Sequence, residues 1–303
     1  MRCGPVQLVL VVIGLAVLMT ASGGGRSGGS GVATPSLAAH VTQSQAPSCQ
    51  SPGVTTLDGG LLRMPSGTTP GATPLLVVVI PGGDGDPADD LAVGAAANRQ
   101  GIAALYPTED EGPFWQLNDE FGISDVAAVG NLLEQQLATG CFDRDRVSIT
   151  GLSNGAGFAA RMACKLPTTF AAVAPVAGGF KALDACPANA RASFLAIHGT
   201  ADTVVPFNGK KPDRKGNVPR YTARWAKRDG CSPAPRTSSP RRFVTRLTYT
   251  GCAGGTRVEL LRLSGTDHGW PGAAPPWPHH NPSGLSATSE ILRFIRYARR
   301  PVT

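Results

Sequence analysis

The apolar and polar positions of the chain alternate between two kinds of stretch. Short continuous apolar runs rich in β-branched residues are typical of strands buried on both faces of a sheet. Such runs occupy 75–80, 102–106, 146–150, 171–176, 194–197 and 258–263. Helices are predicted at 91–100, 124–138, 156–165 and 286–297, most clearly where apolar residues stand at 126, 129, 132, 133 and 137. This alternation predicts an α/β fold with a mostly parallel, doubly wound sheet.

The first 50 residues differ in composition from the rest. In residues 1–22, Arg2 precedes the uncharged apolar run Leu8–Met19 and a group of small residues, which indicates a signal peptide. An uncleaved N-terminal anchor is the alternative. The Gly- and Ser-rich residues 23–50 predict a disordered spacer. No cysteine directly follows the apolar run, so we expect a secreted protein without a lipid anchor, with one folded domain at 51–303.

The cysteines fit an exported protein. Beyond Cys3 there are six: Cys49, Cys141, Cys164, Cys186, Cys231 and Cys252. An even number predicts three disulfides, although six cysteines allow many connectivities. Local geometry favours Cys231 with Cys252, because they flank a proline-rich loop and a strand. The next closest pair is Cys164 with Cys186, which would leave Cys49 with Cys141. No Cys/His spacing indicates zinc, and no metal is predicted.

One strand-to-helix junction carries a chemical motif. The predicted strand at 146–150 leads into Gly151-Leu152-Ser153-Asn154-Gly155, and a helical run follows to Lys165. A G-x-S-x-G sequence between a strand and a helix predicts a nucleophile elbow, with Ser153 as the nucleophile. The alternative is a tight turn in which Ser153 caps the helix.

Three further strands are also followed by residues that could take part in catalysis. These residues lie at the sheet edge where α/β folds bind ligands. Gly83 follows the first long strand, and its N–H together with that of Asn154 predicts an oxyanion hole. Asp202 and His268 each follow a later strand, so the chain order Ser153, Asp202, His268 is that of α/β-hydrolase triads. Taken singly, Gly83 is an ordinary turn glycine, Asp202 a solvated turn residue and His268 a loop residue.

Aromatic and histidine residues near these loops are secondary candidates. Trp270 and Trp277 are predicted to form walls of the substrate site, the alternatives being core packing for Trp270 and a solvated loop for Trp277. His198 ends a strand and is predicted to be a packed structural residue. His280 lies in a proline-rich loop whose role stays open.

Three motifs together resemble a known family. The sequences HGTADTVVPF at 198–207, GLSNGA at 151–156 and HGWPG at 268–272 are similar to secreted polyhydroxybutyrate depolymerase and feruloyl-esterase-like α/β-hydrolases, including LpqC-like esterases. The resemblance covers about residues 50–298. It implies a Ser-His-Asp carboxylic-ester hydrolase with the α/β-hydrolase fold, the triad Ser153, Asp202 and His268, and no metal or organic cofactor. Pro81-Gly82 stands where the family usually has His-Gly.

The resemblance leaves the substrate open. We expect short acyl chains, with hydroxybutyrate-type and feruloyl-type esters ahead of triglycerides, because no long apolar lid helix is apparent. An acyltransferase acting on envelope sugars or lipids is one alternative. The other is a non-catalytic envelope- or polymer-binding protein on a hydrolase scaffold, which would have no need for all three triad residues.

Charge is concentrated in one stretch of this basic chain, whose net charge is +7. Residues 210–246 hold 12 Lys and Arg against two acids. We expect a proline-rich insertion at about 208–246, with Tyr221 and Trp225 on a short helix. It is either a solvated basic face or a surface attracted to anionic cell-envelope polymers or lipid head groups.

Nucleic acid is not an expected partner, because no binding module is apparent. The sequence indicates no oligomeric state.

Overall fold

The apolar runs become neighbouring strands of a single sheet. The computed structural model describes residues 49–79, 93–108, 114–117, 124–178, 186–209, 216–273 and 280–301, all within the compact unit Gln45–Thr303. The strands are β1 (Gly53–Leu57), β2 (Gly60–Met64), β3 (Thr73–Val79), β4 (Ala103–Pro107), β5 (Phe142–Leu152), β6 (Ala172–Val176), β7 (Ser193–Gly199), β8 (Arg236–Arg241), β9 (Val244–Tyr249) and β10 (Val258–Leu263). The predicted signal peptide and nearly all of the spacer lie outside the described residues.

The sheet is parallel in its centre and antiparallel at both edges. Its strand order is β1-β2-β4-β3-β5-β6-β7-β10-β9-β8. Every neighbouring pair from β4 to β10 in this order is parallel, whereas β1, β2, β9 and β8 are added as antiparallel hairpins. A parallel centre forces the carboxyl ends of β3, β5, β6, β7 and β10 to one edge of the sheet. The predicted mostly parallel α/β fold is confirmed.

Helices cover both faces of the sheet in the described stretches. They are α1 (Val93–Asn98), α2 (Ser124–Ala138), α3 (Ser153–Lys165), α4 (Val218–Arg228) and α5 (Ala287–Ile295). α2 and β10 have the bounds that the apolar pattern predicts. The elbow strand β5 begins earlier than predicted, at Phe142, because the four residues after Phe142 are polar and partly or fully exposed and so interrupt the apolar signal.

Two apolar cores lie on the two faces of the sheet. Alternate residues of β3 point to opposite sides, so that Leu75 and Val77 belong to one core and Leu76 and Val78 to the other. Helices α2, α3 and α4 pack into the first core, and α1 and α5 into the second. The buried strands therefore read as continuous apolar runs, because both of their faces are covered.

The described part of the basic stretch forms α4, β8 and the start of β9, and the insertion at about 208–246 stays a prediction. α4 buries Trp225 completely, and the indole N–H donates to the carbonyl of Ala192 at 2.9 Å. β9 pairs antiparallel with β10 along its whole length. Tyr221 and Trp225 lie on a short helix, as predicted, and that helix connects β7 with the antiparallel strands β8 and β9.

Three disulfides join distant parts of the chain. The bonds are Cys49–Cys141, Cys164–Cys186 and Cys231–Cys252, which confirms the pairing favoured from the sequence. Cys49–Cys141 ties the first described residue to the start of β5, and the other two each close a loop near a helix end. In the stretches described, no helix has the length and apolar character needed to cross a membrane.

Candidate active site

Ser153 lies at an abrupt change from strand to helix. β5 ends at Leu152 and α3 begins with Ser153, which has a φ of 56°. Positive φ is unfavourable for a residue with a Cβ, and such strain concentrates at functional sites. The turn presents Ser153, which is half-exposed, above the carboxyl end of the strand, while the helix behind it is almost wholly buried.

The parallel register brings the other two predicted residues to the same edge of the sheet. Asp202 follows β7 and His268 follows β10, and these strands are direct parallel neighbours. His268 Nδ1 lies 2.8 Å from Asp202 Oδ2, so residues 66 positions apart form a hydrogen bond. Ser153 follows β5, separated from β7 only by β6.

Asp202 is a buried carboxylate whose oxygens are fully engaged. Oδ1 accepts the backbone N–H groups of Val204 at 3.0 Å and Val205 at 2.7 Å. Burial by itself raises the pKa of Asp202, but hydrogen bonds from His198 and His268 outweigh it and hold that pKa well below its usual range. The group therefore stays an anion at neutral pH.

An anionic acceptor fixes the proton on the facing imidazole. Because Asp202 can only accept, His268 donates from Nδ1, which leaves Nε2 as the nitrogen that takes up a proton in the neutral tautomer. A histidine oriented in this way by a buried aspartate is the general-base arrangement of serine hydrolases.

The loops that carry Asp202 and His268 touch closely, and Gly199 is what permits the approach. A Cβ on Gly199 would overlap the carbonyl oxygen of Thr266 and come within 2.7 Å of its carbon. The loops are also joined by hydrogen bonds, from Ala201 N–H to the carbonyl of Thr266 at 3.0 Å and from Gly265 N–H to Thr200 Oγ1 at 3.0 Å.

His280 holds the far side of the His268 loop. Its Nδ1 lies 2.9 Å from the carbonyl of Gly265, and its N–H donates to Asp267 Oδ1 at 3.1 Å. This residue, whose role the sequence left open, therefore supports the loop that presents His268.

Asn154 contacts a short segment that the sequence did not connect with the site. Its side-chain Oδ1 accepts the N–H of Trp115 at 2.8 Å, and its Nδ2 donates to the Trp115 carbonyl at 3.1 Å. The Trp115 ring stacks on Phe158 of α3 with centroids 4.7 Å apart. The neighbouring Phe114 is 61% exposed, so the segment presents an aromatic ring to solvent.

The backbone of Asn154 suits its predicted role at the oxyanion. It lies in the first turn of α3, where N–H groups have no partner within the helix and the helix dipole favours negative charge. Gly83, the other predicted donor, lies outside the described residues.

Trp270 does not line a substrate site, and that prediction is wrong. The side chain is 0% exposed, belongs to the core beside α5, and donates its indole N–H to Thr288 Oγ1 at 2.9 Å. An indole anchored this way fills the core between the His268 loop and the last helix. Trp277, the second predicted wall, lies outside the described residues.

His198 has a contact that the sequence did not reveal. It is buried, as predicted, but its Nε2 lies 3.1 Å from Asp202 Oδ2. The signal was present in the spacing, because a strand-end residue and the turn four positions later can face each other across a tight loop. Only the folded loop shows which side chain enters that turn.

The chain resembles known esterases over most of its folded part. Residues 60–203 match the family model of the esterase PHB depolymerase, a range that includes Ser153 and Asp202. Feruloyl esterase B of Piromyces equi is 26% identical over 230 residues, which are 69% of this chain and 42% of that protein. This chain is related to the α/β esterases of the PHB depolymerase and feruloyl esterase type.

Two further comparisons agree with that relationship. A putative esterase of Nocardia uniformis subsp. tsuyamanensis, NocK, is 27% identical over 256 residues, covering 74% of this chain and 72% of that protein. The solved acetyl xylan esterase from Aspergillus awamori superposes with a TM-score of 0.57 at 15% identity, covering 79% of this chain and 94% of that one, which shows the common α/β-hydrolase fold. The chain spans 42% and 51% of the length of two feruloyl esterases that it matches.

Proposed function

We propose that this protein is a serine carboxylic-ester hydrolase in which Ser153, His268 and Asp202 act as a catalytic triad. The observation that carries the proposal is the 2.8 Å contact between His268 Nδ1 and Asp202 Oδ2, at the sheet edge where Ser153 occupies a strained strand-to-helix turn. The relationship to esterases supports the same chemistry.

In the proposed mechanism, His268 Nε2 removes the proton from Ser153 Oγ as that oxygen attacks the ester carbonyl. Asp202 keeps the imidazole in the required tautomer and stabilises its cationic form. The imidazolium then protonates the leaving alcohol, and an acyl group remains on Ser153. A water molecule, deprotonated by His268, then attacks the acyl carbonyl. The imidazolium returns its proton to Ser153 Oγ as the acid leaves, which restores the serine.

The tetrahedral intermediates place a negative charge on the former carbonyl oxygen. We assign the N–H of Asn154 as one donor to that oxygen, and the N–H of Gly83 stays the predicted second donor. Each such donor typically stabilises the transition state by roughly 3 kcal/mol. The side-chain contacts of Asn154 with Trp115 restrain the same residue, so that the donor is held in place before substrate arrives.

We propose short acyl or aromatic acyl esters as substrates, of the hydroxybutyrate or feruloyl type. The related proteins bear names of these two kinds. Phe114 is the exposed aromatic residue that we propose to meet the acyl group, because the adjoining Trp115 is hydrogen-bonded to Asn154.

A panel of esters tests this function. It contains short-chain aryl esters, oligomers of 3-hydroxybutyrate, feruloylated sugars, acetylated xylan and long-chain triglycerides, each assayed with the wild-type protein and with Ser153→Ala. The proposal predicts hydrolysis of short or feruloyl esters by the wild type only. Preferential cleavage of triglycerides would contradict the substrate assignment, and equal rates with Ser153→Ala would contradict the triad.

Acyl transfer is the alternative that the same residues allow, because an alcohol can replace water at the acyl-enzyme. Product analysis with and without an added sugar alcohol separates the two. A hydrolase yields free acid in both cases, whereas a transferase yields a new ester. A binding protein without catalysis would give no turnover in either assay.

We propose that the protein is exported and that its basic face associates with anionic envelope material. Three disulfides support export, since such bonds persist in oxidising compartments. The outer face of α4 supports the surface role, because Arg220, Arg224 and Lys227 are exposed at helical spacing.

A further inference from the structure

A second histidine contacts the same oxygen of the triad aspartate as His268 does. His198 is the penultimate residue of β7, is 1% exposed, and lies 3.1 Å through Nε2 from Asp202 Oδ2. The same nitrogen lies 2.8 Å from the carbonyl oxygen of Val205. The proposed catalytic cycle described above does not use this ring.

The two neighbours of Nε2 decide where its proton is. A carbonyl oxygen and an ionised carboxylate can only accept hydrogen bonds, so His198 Nε2 carries a hydrogen and shares it between Val205 and Asp202. The ring thus acts as a buried hydrogen-bond donor through Nε2, both as the neutral Nε2–H tautomer and as the imidazolium.

This donor completes the hydrogen-bonding capacity of Asp202. An ionised carboxylate offers about four lone-pair positions. Val204 and Val205 N–H groups occupy Oδ1, while His268 and His198 occupy Oδ2. Since His198 is fixed in β7 and also bonded to Val205, it determines where Oδ2 lies relative to the rigid sheet.

We propose that His198 is a positioning residue, which holds Asp202 Oδ2 in line with His268 Nδ1 and so keeps the catalytic imidazole oriented. The proposal rests on the triad function given above. Without the His198 donor, Asp202 Oδ2 keeps a single side-chain partner, and the carboxylate loses the contact that ties it to β7.

Packing is the competing explanation, because the His198 ring also meets Phe207 edge-on at 5.9 Å between centroids. A residue that only fills space affects stability and acts independently of Asp202. A positioning residue affects turnover, leaves substrate binding nearly unchanged, and acts through Asp202. These differences make the two roles separable.

A matched pair of variants separates the loss of the His198 hydrogen-bond donor from the loss of its side-chain volume. Gln and Met side chains have similar length, but only His198→Gln retains an N–H donor. We expect His198→Met to lower kcat on a short-chain aryl ester by roughly tenfold to a hundredfold, by analogy with the loss seen when the hydrogen-bond partners of metal-ligating histidines are removed. KM should change little. His198→Gln should recover most of the loss.

The coupling to Asp202 is tested in a double-mutant cycle. In an Asp202→Asn background, His198→Met should reduce kcat further by less than about threefold, because the group it acts through is already altered. Equal fold-losses in both backgrounds, or equal kcat for His198→Met and wild type, would overturn the proposal. Ser153→Ala is included in the same assay. If that variant retains turnover, the proposed function itself fails, whatever His198 does.

A measurement on the unaltered protein keeps the proposal testable even if His198→Met does not fold. In protein labelled with ¹⁵N-histidine, NMR should show a hydrogen on His198 Nε2, and its resonance should shift in Asp202→Asn. An Nε2 without a hydrogen, or a resonance indifferent to Asp202→Asn, would show that the ring does not donate to the triad carboxylate.

Discussion

At the scale of single residues, the site depends on positions where an ordinary side chain is unfavourable or impossible. Ser153 accepts a φ of 56°, which raises its oxygen out of the strand–helix turn. Gly199 has no side chain, so the loop of His268 can pass directly over the end of β7. The positive φ strains the backbone of the predicted nucleophile. The missing side chain of Gly199 determines how closely His268 approaches Asp202.

Replacing Gly199 by Ala should therefore damage catalysis more than an exposed glycine-to-alanine change does. The new Cβ displaces Thr266 and with it the loop that ends at His268. We expect kcat to fall at least about tenfold, since small misplacements of catalytic groups have large kinetic costs. Gly59→Ala is the control, because a Cβ at Gly59 meets nothing within 4 Å, although its positive φ lowers stability. Equal kinetics for the two variants would contradict the argument.

Asp229 is a buried carboxyl whose pKa is shifted in the opposite direction to that of Asp202. Burial raises the pKa of Asp229 to about 7 despite the nearby charges of Arg228 and Arg191. The unfolded chain has an ordinary pKa there, so the folded protein binds the extra proton as pH falls. Stability should then increase on acidification from pH 8 to pH 6 and be lost as pH rises through 7.

The comparison of wild type with Asp229→Asn isolates this contribution from histidine titration. The melting temperature of the wild type should rise more between pH 8 and pH 6 than that of Asp229→Asn. Asp202 and Glu290 have lowered pKa values and remain ionised in this window, so they do not mask the effect. Parallel pH profiles for the two proteins would contradict the assignment.

At the scale of elements, the disulfides fasten the ends of helices and strands, and they differ in the loops they close. Cys49–Cys141 spans 92 residues, whereas Cys231–Cys252 spans 21. In the chain-entropy account, a longer loop restricts the unfolded chain more, so the long bond stabilises by roughly 1 kcal/mol more than the short one.

Replacing both Cys49 and Cys141 by Ala should lower the melting temperature more than replacing both Cys231 and Cys252. Thermal unfolding of the two double variants under non-reducing conditions measures the difference. Thiol titration of the denatured wild type accompanies it and should find none of these four cysteines free. Free thiols there would contradict the disulfides and the proposed export together.

Elements also show why part of the site was predictable. Ser153, Asp202 and His268 were identified because each follows an apolar run, and parallel strands end at one edge of a sheet. Trp270 was misassigned because sequence distance from His268 does not reveal on which side of the loop an indole packs. The contacts of His198 and Asn154 escaped prediction for the same reason, since they depend on how loops fold over the strand ends.

At the scale of the whole molecule, a parallel sheet covered on both faces places the predicted triad residues at one edge. The basic stretch, which the sequence suggested as an insertion, is built into the sheet through α4 and β9. Trp225 and Tyr221 are buried on the inner face of α4, and Arg220, Arg224 and Lys227 are exposed, where they form the surface proposed to meet anionic material.

Neutralising that face tests the surface role without touching the triad. The triple variant Arg220→Gln, Arg224→Gln and Lys227→Gln should bind vesicles containing anionic phospholipid more weakly at low salt. Its turnover of a small soluble ester should stay unchanged. The control triple variant changes exposed arginines that form ion pairs with acids, namely Arg144, Arg293 and Arg299, to Gln. Equal retention of both variants would leave α4 as a solvated face.

The most direct test of the catalytic assignment is covalent labelling with a serine-directed fluorophosphonate, followed by mass spectrometric mapping of the modified peptide. The proposed triad predicts a single adduct on Ser153, loss of ester hydrolysis in proportion to labelling, and no adduct with Ser153→Ala. Asp202→Asn should be labelled far more slowly, because His268 loses the partner that orients it. An adduct on another serine, or hydrolysis by Ser153→Ala at the wild-type rate, would contradict the assignment.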